Sequence, residues 1–188
     1  MKALVGLRGI ALAIAAAFLL APSAGYGDAD TPRCGWYGKS PGAASDHELR
    51  TSTLCLVNQI RERHGIPPLD YNLALRRSAS IHSVSMVRSR SFSHYGPGGS
   101  TVTSRVARSG YLASMSSFRV AENIGAGKGR RYGSPLAIVR TWMRSSSHRQ
   151  NILDRGFRDF GVGVAHGDPL GRGANAATYT LDFGARWR

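Results

Sequence analysis

The sequence predicts an α+β domain in which helices come first and a small antiparallel sheet comes last. Leu49, Leu56 and Ile60 recur at the spacing of one helical face. Later the period falls to two, because apolar residues alternate with small or polar ones in residues 160–164 and 177–183. A Gly-rich stretch joins these two segments, which indicates an antiparallel hairpin. The hydrophobic fraction of 42% is enough for a packed core and excludes a wholly disordered chain.

Residues typical of helix ends bound the predicted helices, which cover 45–63, 72–88, 100–110 and a segment that begins at residue 134. Ser45 or Asp46 caps the first helix, and Gly65 stops it. Pro135 directly after Ser134 suits the first position of the fourth helix. The inner face of the second helix is predicted to consist of Leu75, Ala79, His82 and Met86.

A third strand is predicted at residues 119–125, ahead of the glycine-rich stretch Gly125–Gly129. This stretch contains Lys128 and resembles a phosphate-binding loop, but it lacks the G-x-x-x-x-G-K-[ST] frame. We therefore expect a flexible loop here and no nucleotide site.

The first 27 residues have the pattern of a secretory signal peptide. Lys2 and Arg8 form a positive start, residues 10–21 are apolar, and small residues follow. The apolar run is shorter than the roughly 20 residues that span a bilayer, so we expect a cleaved signal and no transmembrane segment in the mature chain. The predicted location is therefore secreted, extracellular or in the cell envelope. Residues 28–45 are rich in Gly, Pro and Ser and predict an irregular leader before the domain at 46–188.

Export decides how the two cysteines are interpreted. Cys34 and Cys55 lie 21 positions apart, and thiols oxidise outside the cytoplasm. We predict one disulfide that ties the leader to the first helix, with two unpaired thiols as the alternative. In the chain-entropy model such a bridge stabilises the fold by about 3 kcal/mol.

The chain is strongly basic, with 25 Lys and Arg against 11 Asp and Glu and a formal charge of +14. Loss of Lys2 and Arg8 with the signal leaves a charge of +12. Such a balance favours a polyanionic neighbour. Nucleic acid is one such partner, through the arginine patch Arg88, Arg90, Arg105 and Arg108. Export and the lack of a helix with a dense basic face disfavour it.

Three polar residues stand out by their context. His94 lies in a segment between two helices, and His148 lies just past the fourth helix in a serine-rich stretch. Glu122 is the only acid between Asp70 and Asp154 and sits in an apolar stretch, where burial without a partner is costly. Two imidazoles and a carboxylate can hold a divalent cation, or they can form a buried hydrogen-bonded cluster in which Glu122 orients a histidine. Spacing alone leaves both interpretations open.

Five motifs in order give the chain a resemblance to a known family, and they cover residues 49–184. They are Leu56-Val57-Asn58-x-x-Arg61 with Pro68-Leu69, Phe92-Ser93-His94, Ala121-Glu122-Asn123-Ile124, Trp142-x-x-Ser145-x-x-His148-Arg149-x-Asn151-Ile152-Leu153, and Tyr179-Thr180-Leu181-Asp182-Phe183-Gly184. The chain resembles the bacterial, exported branch of the CAP (SCP-like) superfamily, which also includes venom-allergen and pathogenesis-related proteins.

The resemblance implies an α-β-α sandwich with a small antiparallel sheet and an open cleft. It implies that His94, Glu122 and His148 line this cleft, where family members can hold zinc or a similar cation. The residues expected to support the cleft are Asn123, Ser145 and Asn151. Ser145 stands where eukaryotic members have a second glutamate, so this chain has one anion fewer for a cation.

Two functions follow as expectations. The first is an exported module that binds a lipid or a cell-envelope component, such as an anionic envelope polymer, in the cleft. The second is a metal-assisted hydrolase in which His94 and His148 hold the cation and Glu122 is the general base. The sequence does not identify the ligand.

Overall fold

A computed structural model describes residues 34–171 and 173–187, so the predicted signal peptide lies outside the described residues. This part of the chain contains six helices and four strands, with short 3-10 turns at Pro41–Ala43 and Pro97–Gly99. The helices are α1 (Asp46–Arg63), α2 (Leu73–Ser89), α3 (Val102–Arg108), α4 (Gly129–Gly133), α5 (Pro135–Arg144) and α6 (Ser146–Leu153). The strands are β1 (Asp70–Tyr71), β2 (Ser117–Lys128), β3 (Asp159–His166) and β4 (Ala176–Trp187).

The four strands form one sheet in the order β1-β3-β4-β2. Strand β4 pairs antiparallel with both β3 and β2, so the predicted hairpin and third strand are confirmed. The two-residue strand β1 adds a parallel pair with β3, which makes the sheet mixed. Strand β1 was not predicted, because two residues are too few to show an alternating pattern. Strand β2 lies at one edge, and this position allows it to contact the helices on both faces.

Helices cover both faces of the sheet, as expected for an α-β-α sandwich. On one face, Phe160, Val162, Tyr179, Leu181 and Phe183 pack in a single buried cluster with apolar residues of α1, α5 and α6. The opposite face of β3 and β4 is small or polar and lies under α2. The two faces differ because successive side chains of a strand point to opposite sides.

Helix α2 lies directly against the sheet because β3 has glycines where it crosses. A Cβ atom at Gly161 would lie 2.1 Å from the backbone of Arg76, and one at Gly163 would lie 2.2 Å from that of Ala79. Ser83 then reaches the sheet and donates a hydrogen bond to Thr180 at 2.9 Å. The predicted inner face of this helix is buried throughout.

The helix ends follow the predicted capping residues closely. Ser45 caps α1 in a reciprocal capping box with Glu48, and Ser134 accepts a hydrogen bond at the start of α5. Thr101 is the N-cap of α3, one residue later than the expected Ser100. The Trp142 indole donates to the Ile124 carbonyl at 2.8 Å and fixes α5 against β2.

One local expectation was wrong. The stretch Gly125–Gly129 is not a flexible loop, because its first four residues complete β2 and Gly129 begins α4. A Cβ at Gly127 would meet the Tyr132 carbonyl at 2.0 Å, so this glycine allows two backbones to touch. The serine-rich stretch after α5 starts a further helix that was not predicted, since α6 begins at Ser146 and buries Ile152.

The disulfide between Cys34 and Cys55 is present, and the alternative of two unpaired thiols is therefore excluded. It ties the described part of the leader, residues 34–45, to α1. The leader also meets α5, where the Leu136 amide donates to the Tyr37 carbonyl at 3.0 Å. Among residues 34–171 and 173–187, no helix combines the length and the apolar character that crossing a membrane requires.

Candidate functional site

The predicted carboxylate, Glu122, is the centre of a buried polar cluster on strand β2. Its side chain is only 2% exposed. Oε1 accepts a hydrogen bond from Nδ1 of His94 at 2.8 Å, and Oε2 accepts one from Nη2 of Arg105 on α3. The His94 side chain is 52% exposed, so the pair connects the buried layer with solvent. Since the carboxylate holds Nδ1, Nε2 of His94 is left for other partners.

Two further buried residues hold the loop that carries His94. Nη1 of Arg105 donates to the carbonyls of His94 and Ser100, at 3.1 and 2.7 Å. Nε2 of His82 on α2 donates to the Ser93 carbonyl at 2.9 Å. The sequence predicted His82 as a core residue, but its role beneath the loop was not foreseen. Arg105 is buried here, so the predicted arginine patch does not form one surface with it.

The surroundings of Glu122 favour its charged form. Burial alone would raise its pKa, but the hydrogen bond from His94 and the charge of Arg105 outweigh burial and hold the pKa below the ordinary value. For His82, burial lowers the pKa and favours the neutral ring despite the nearby carboxylate. The charge pair at the centre of the cluster is therefore Glu122 with Arg105.

A second carboxyl, Asp182, lies beside Glu122. The two residues are direct cross-strand partners of β2 and β4, so their side chains share one face of the sheet. Asp182 is fully buried, and among the described residues neither of its oxygens has a hydrogen-bond partner of normal geometry. Burial first and the charge of Glu122 second raise its pKa well above the ordinary value. The protonated form of Asp182 is therefore favoured beside the Glu122 carboxylate.

Sequence reasoning missed Asp182 as part of the site. The alternation in β4 places Asp182 on the face opposite Tyr179, Leu181 and Phe183, and the sequence did not show that helix α2 covers this polar face. In the sequence Glu122 is isolated, because no other acid lies close to it along the chain. In the folded protein its neighbouring carboxyl belongs to a residue sixty positions later, on strand β4.

The other predicted histidine belongs to α6, on the opposite side of β2. Asn123 points away from Glu122, donates to the His148 carbonyl at 3.1 Å, and accepts from Asn151 at 2.9 Å. The predicted supporting residues Asn123 and Asn151 therefore fix the start of α6 to the edge strand. Ser145 precedes this helix, and its hydroxyl lies 3.2 Å from that of Ser147.

The structure brings His94 into direct contact with Glu122, and it places His148 near His94. His148 is half-buried, and its Nδ1 has no hydrogen-bond partner among the described residues. Burial lowers the pKa of His148, and the proximity of His94 lowers it further. The two imidazoles therefore come from elements on opposite faces of the sheet.

A comparison with known families decides the identity. The model of CAP, the cysteine-rich secretory protein family, matches residues 54–183, which is most of the chain. The chain belongs to this family. The match contains His94, Glu122, His148 and all of the residues that surround them here.

Several relatives of this CAP domain come from bacteria. The uncharacterised protein YkwD of Bacillus subtilis is 30% identical over 125 residues, which are 66% of this chain and 44% of that protein. An extracellular protein of Bacillus anthracis that contains an SCP domain is 25% identical, with a TM-score of 0.59 over 74% of this chain and 43% of its own. The chain thus spans less than half the length of either relative.

The fold of the CAP domain also matches a surface protein. An outer surface protein of Borrelia burgdorferi superposes with a TM-score of 0.57 over 71% of this chain and 90% of its own, at 18% identity. At this identity the similarity concerns the fold. It supports the α-β-α sandwich described above.

The metal that the family implies requires at least three donors of the right type in a typical protein site. Among residues 34–171 and 173–187, no group of three or more His, Cys, Asp or Glu side chains is arranged to hold a metal ion. Both oxygens of Glu122 are engaged by His94 and Arg105, and Ser145 supplies no carboxylate. The described donor set therefore offers two imidazoles and does not fit a zinc centre of three protein ligands.

Proposed function

We propose that this CAP domain is an exported binding module that holds a lipid or a cell-envelope component at the cleft of His94, Glu122 and His148. The hydrogen bond from His94 to the buried Glu122 carries the proposal. It orients a half-exposed imidazole so that Nε2 is available to a ligand, while the carboxylate and Arg105 remain buried. A polar group that is fixed in advance binds at a lower entropy cost.

The loop around His94 indicates which of these ligands fits best. Phe92 and Tyr95 flank the histidine and are 37% and 68% exposed. Exposed aromatic rings beside a single oriented polar group suit a molecule with flat apolar faces and hydroxyl groups. An envelope glycan has this character, so we propose a glycan before a lipid.

A location outside the cell or in its envelope is part of the proposal. It is supported by the signal-like N-terminus of the sequence, by the Cys34–Cys55 disulfide, and by the extracellular and surface proteins among the structural relatives.

The test is binding of soluble envelope glycan fragments and, in a separate arm, of lipid vesicles. His94→Ala is expected to weaken glycan binding at least about tenfold, as loss of an oriented hydrogen bond and its contacts would do. His47→Ala is the matched control, because His47 is an exposed histidine at the start of α1. Equal binding by His94→Ala and the wild type would overturn the proposal, and binding confined to vesicles would replace the glycan by a lipid.

The metal-assisted hydrolase is a separate prediction, and no catalytic step is derived for it. Glu122 is buried and paired, whereas a general base needs access to the proton it removes. A cation held by His94 and His148 would take its other ligands from water or from the bound molecule. Calorimetric titration with zinc, compared between the wild type and a His94→Ala/His148→Ala variant, measures whether such a site exists.

A further inference from the structure

A basic surface groove of about 660 Å³ lies between α4, α5 and the leader. We call it the arginine groove. Four arginines and two tyrosines dominate its lining, which includes Arg130, Arg131, Arg140, Arg144, Tyr37 and Tyr132. None of the described residues that line it is acidic. The groove shares no residue with the cluster around Glu122 and is therefore a separate feature.

The arginines come from two consecutive helices. Arg140 and Arg144 are four residues apart on α5, so their side chains lie on one face, one turn after the other. Arg130 and Arg131 come from α4 at the same groove, and the guanidinium of Arg131 lies 5.3 Å from the ring centre of Tyr132. Arg130, Arg131 and Arg144 are exposed, so a chain of repeated negative charges can contact several guanidinium groups at once, which a single small anion cannot.

The walls of the groove are fixed by contacts elsewhere in the fold. The Tyr179 hydroxyl donates to the Gly133 carbonyl at 2.8 Å, at the junction of α4 and α5. The Cys34–Cys55 disulfide and the hydrogen bond from Leu136 to Tyr37 hold the leader wall. A site that is rigid before binding spends less of its interaction energy on ordering.

We propose that the arginine groove binds a phosphate-bearing polyanion of the cell envelope. The planar guanidinium fork matches the oxygens of a phosphate group, and several such forks in one groove match a polymer in which phosphates repeat. The formal charge of +14 favours approach of any polyanion, and the groove gives it a place to bind. The predicted export makes an envelope polymer the partner that this surface would meet.

The test uses the purified protein and inorganic polyphosphate of defined length as the probe. The variant Arg130→Gln/Arg131→Gln/Arg144→Gln removes three charges from the groove and leaves Arg140 in place. Its matched control, Arg88→Gln/Arg90→Gln/Arg108→Gln, removes three exposed arginines from α2 and α3 and their ends. Net charge is thus equal in the two variants, and thermal melting confirms that both are folded.

The groove variant is expected to bind polyphosphate at least about tenfold more weakly at physiological salt. Its slope of log affinity against log salt is expected to fall by about three, one unit for each phosphate that is no longer bound by an arginine. The control is expected to lose less than about threefold in affinity, as a change in general attraction alone would give.

Three results would overturn the proposal. Equal weakening in the two variants would show that attraction is generic, and loss of polyphosphate binding in His94→Ala would move the site to the other cluster. Tighter binding of single-stranded DNA than of polyphosphate with the same charge would make nucleic acid the occupant. Polyphosphate binding by His94→Ala at wild-type strength would support a separate site.

Discussion

Replacing each of the two neighbouring carboxyls by its amide is expected to change stability by very different amounts. At pH 7, Glu122→Gln is expected to lower the free energy of unfolding by about 3 kcal/mol, because it leaves the guanidinium of Arg105 buried without its counter-charge. Asp182→Asn is expected to cost less than about 1 kcal/mol, because burial and the charge of Glu122 favour the neutral form of Asp182 and the amide has nearly the same shape.

The magnitude for Glu122 follows from its contacts. Removing one partner of a buried ion pair costs about 3–5 kcal/mol, and the Arg105 side chain is 4% exposed. The glutamine oxygen can still accept the hydrogen bond from Nδ1 of His94, so the lower end of this range applies. Asp182 has no such charge partner in the described structure, since Arg105 already faces Glu122.

The two variants also differ in how their effects change with pH. The pKa of Glu122 is lower in the folded state, so its stabilising effect is present above the ordinary value of 4.5 and is lost as the pH falls through the depressed value. The pKa of Asp182 is higher in the folded state. The wild type therefore loses stability as the pH rises above the ordinary value of 3.8, until the raised pKa of the folded state is reached. Asp182→Asn does not titrate and should gain on the wild type as the pH rises above 3.8, while the cost of Glu122→Gln should shrink below pH 4.5.

Urea denaturation followed by tryptophan fluorescence at pH 4, 6 and 8 measures both trends. Glu62→Gln is the control, because Glu62 is exposed on α1 and its loss should change stability by less than about 0.5 kcal/mol. The assignment of charge to Glu122 is refuted if Asp182→Asn costs as much as Glu122→Gln, or if the two effects change with pH in the same direction.

Three further predictions concern the frame around the site. Gly163→Ala should lower the unfolding free energy by about 3 kcal/mol, because its Cβ would lie 2.2 Å from the backbone of α2, whereas Gly35→Ala has no neighbour within 4 Å and should be neutral in thermal melts. The double variant Cys34→Ser/Cys55→Ser should lose about 3 kcal/mol and no longer respond to reductant, and an unchanged melting temperature would contradict this. Asn123→Ala should speed hydrogen exchange of the α6 amides and leave those of α1 unchanged, since it removes the hydrogen bonds with His148 and Asn151; uniform acceleration would contradict a local role.

Those parts of the fold that depend on near neighbours could be predicted from the sequence. The capping box at Ser45 and the apolar spacing along α1 lie within one continuous segment. The alternation in β3 and the alternation in β4 are likewise each contained in a single segment. The start of α6 could not be predicted, because serines are mediocre helix formers and the burial of Ile152 comes from distant helices. The glycines at the end of β2 were interpreted as a loop, because the contact that requires them, between the backbones of β2 and α4, forms only in the tertiary structure.

The site shows the same division. The lone position of Glu122 in an apolar stretch predicted a buried carboxylate, and the structure supplies the histidine that it contacts. Nothing in the sequence indicated that Arg105 would be buried against it, since an arginine in a basic chain usually lies at the surface. The role of His82 depends on a loop that folds back over α2.

The order of residues alone determined the periodic elements, their caps and the family, because each of these depends on neighbours along the chain or on short motifs. Only the tertiary structure decided which carboxyl is ionised. Glu122 and Asp182 are both inward-facing acids on strands, and desolvation penalises the charge of each. Glu122 is paired with an arginine and a histidine from other elements, whereas burial and the negative charge of Glu122 dominate at Asp182. These partners come together only when the chain is folded.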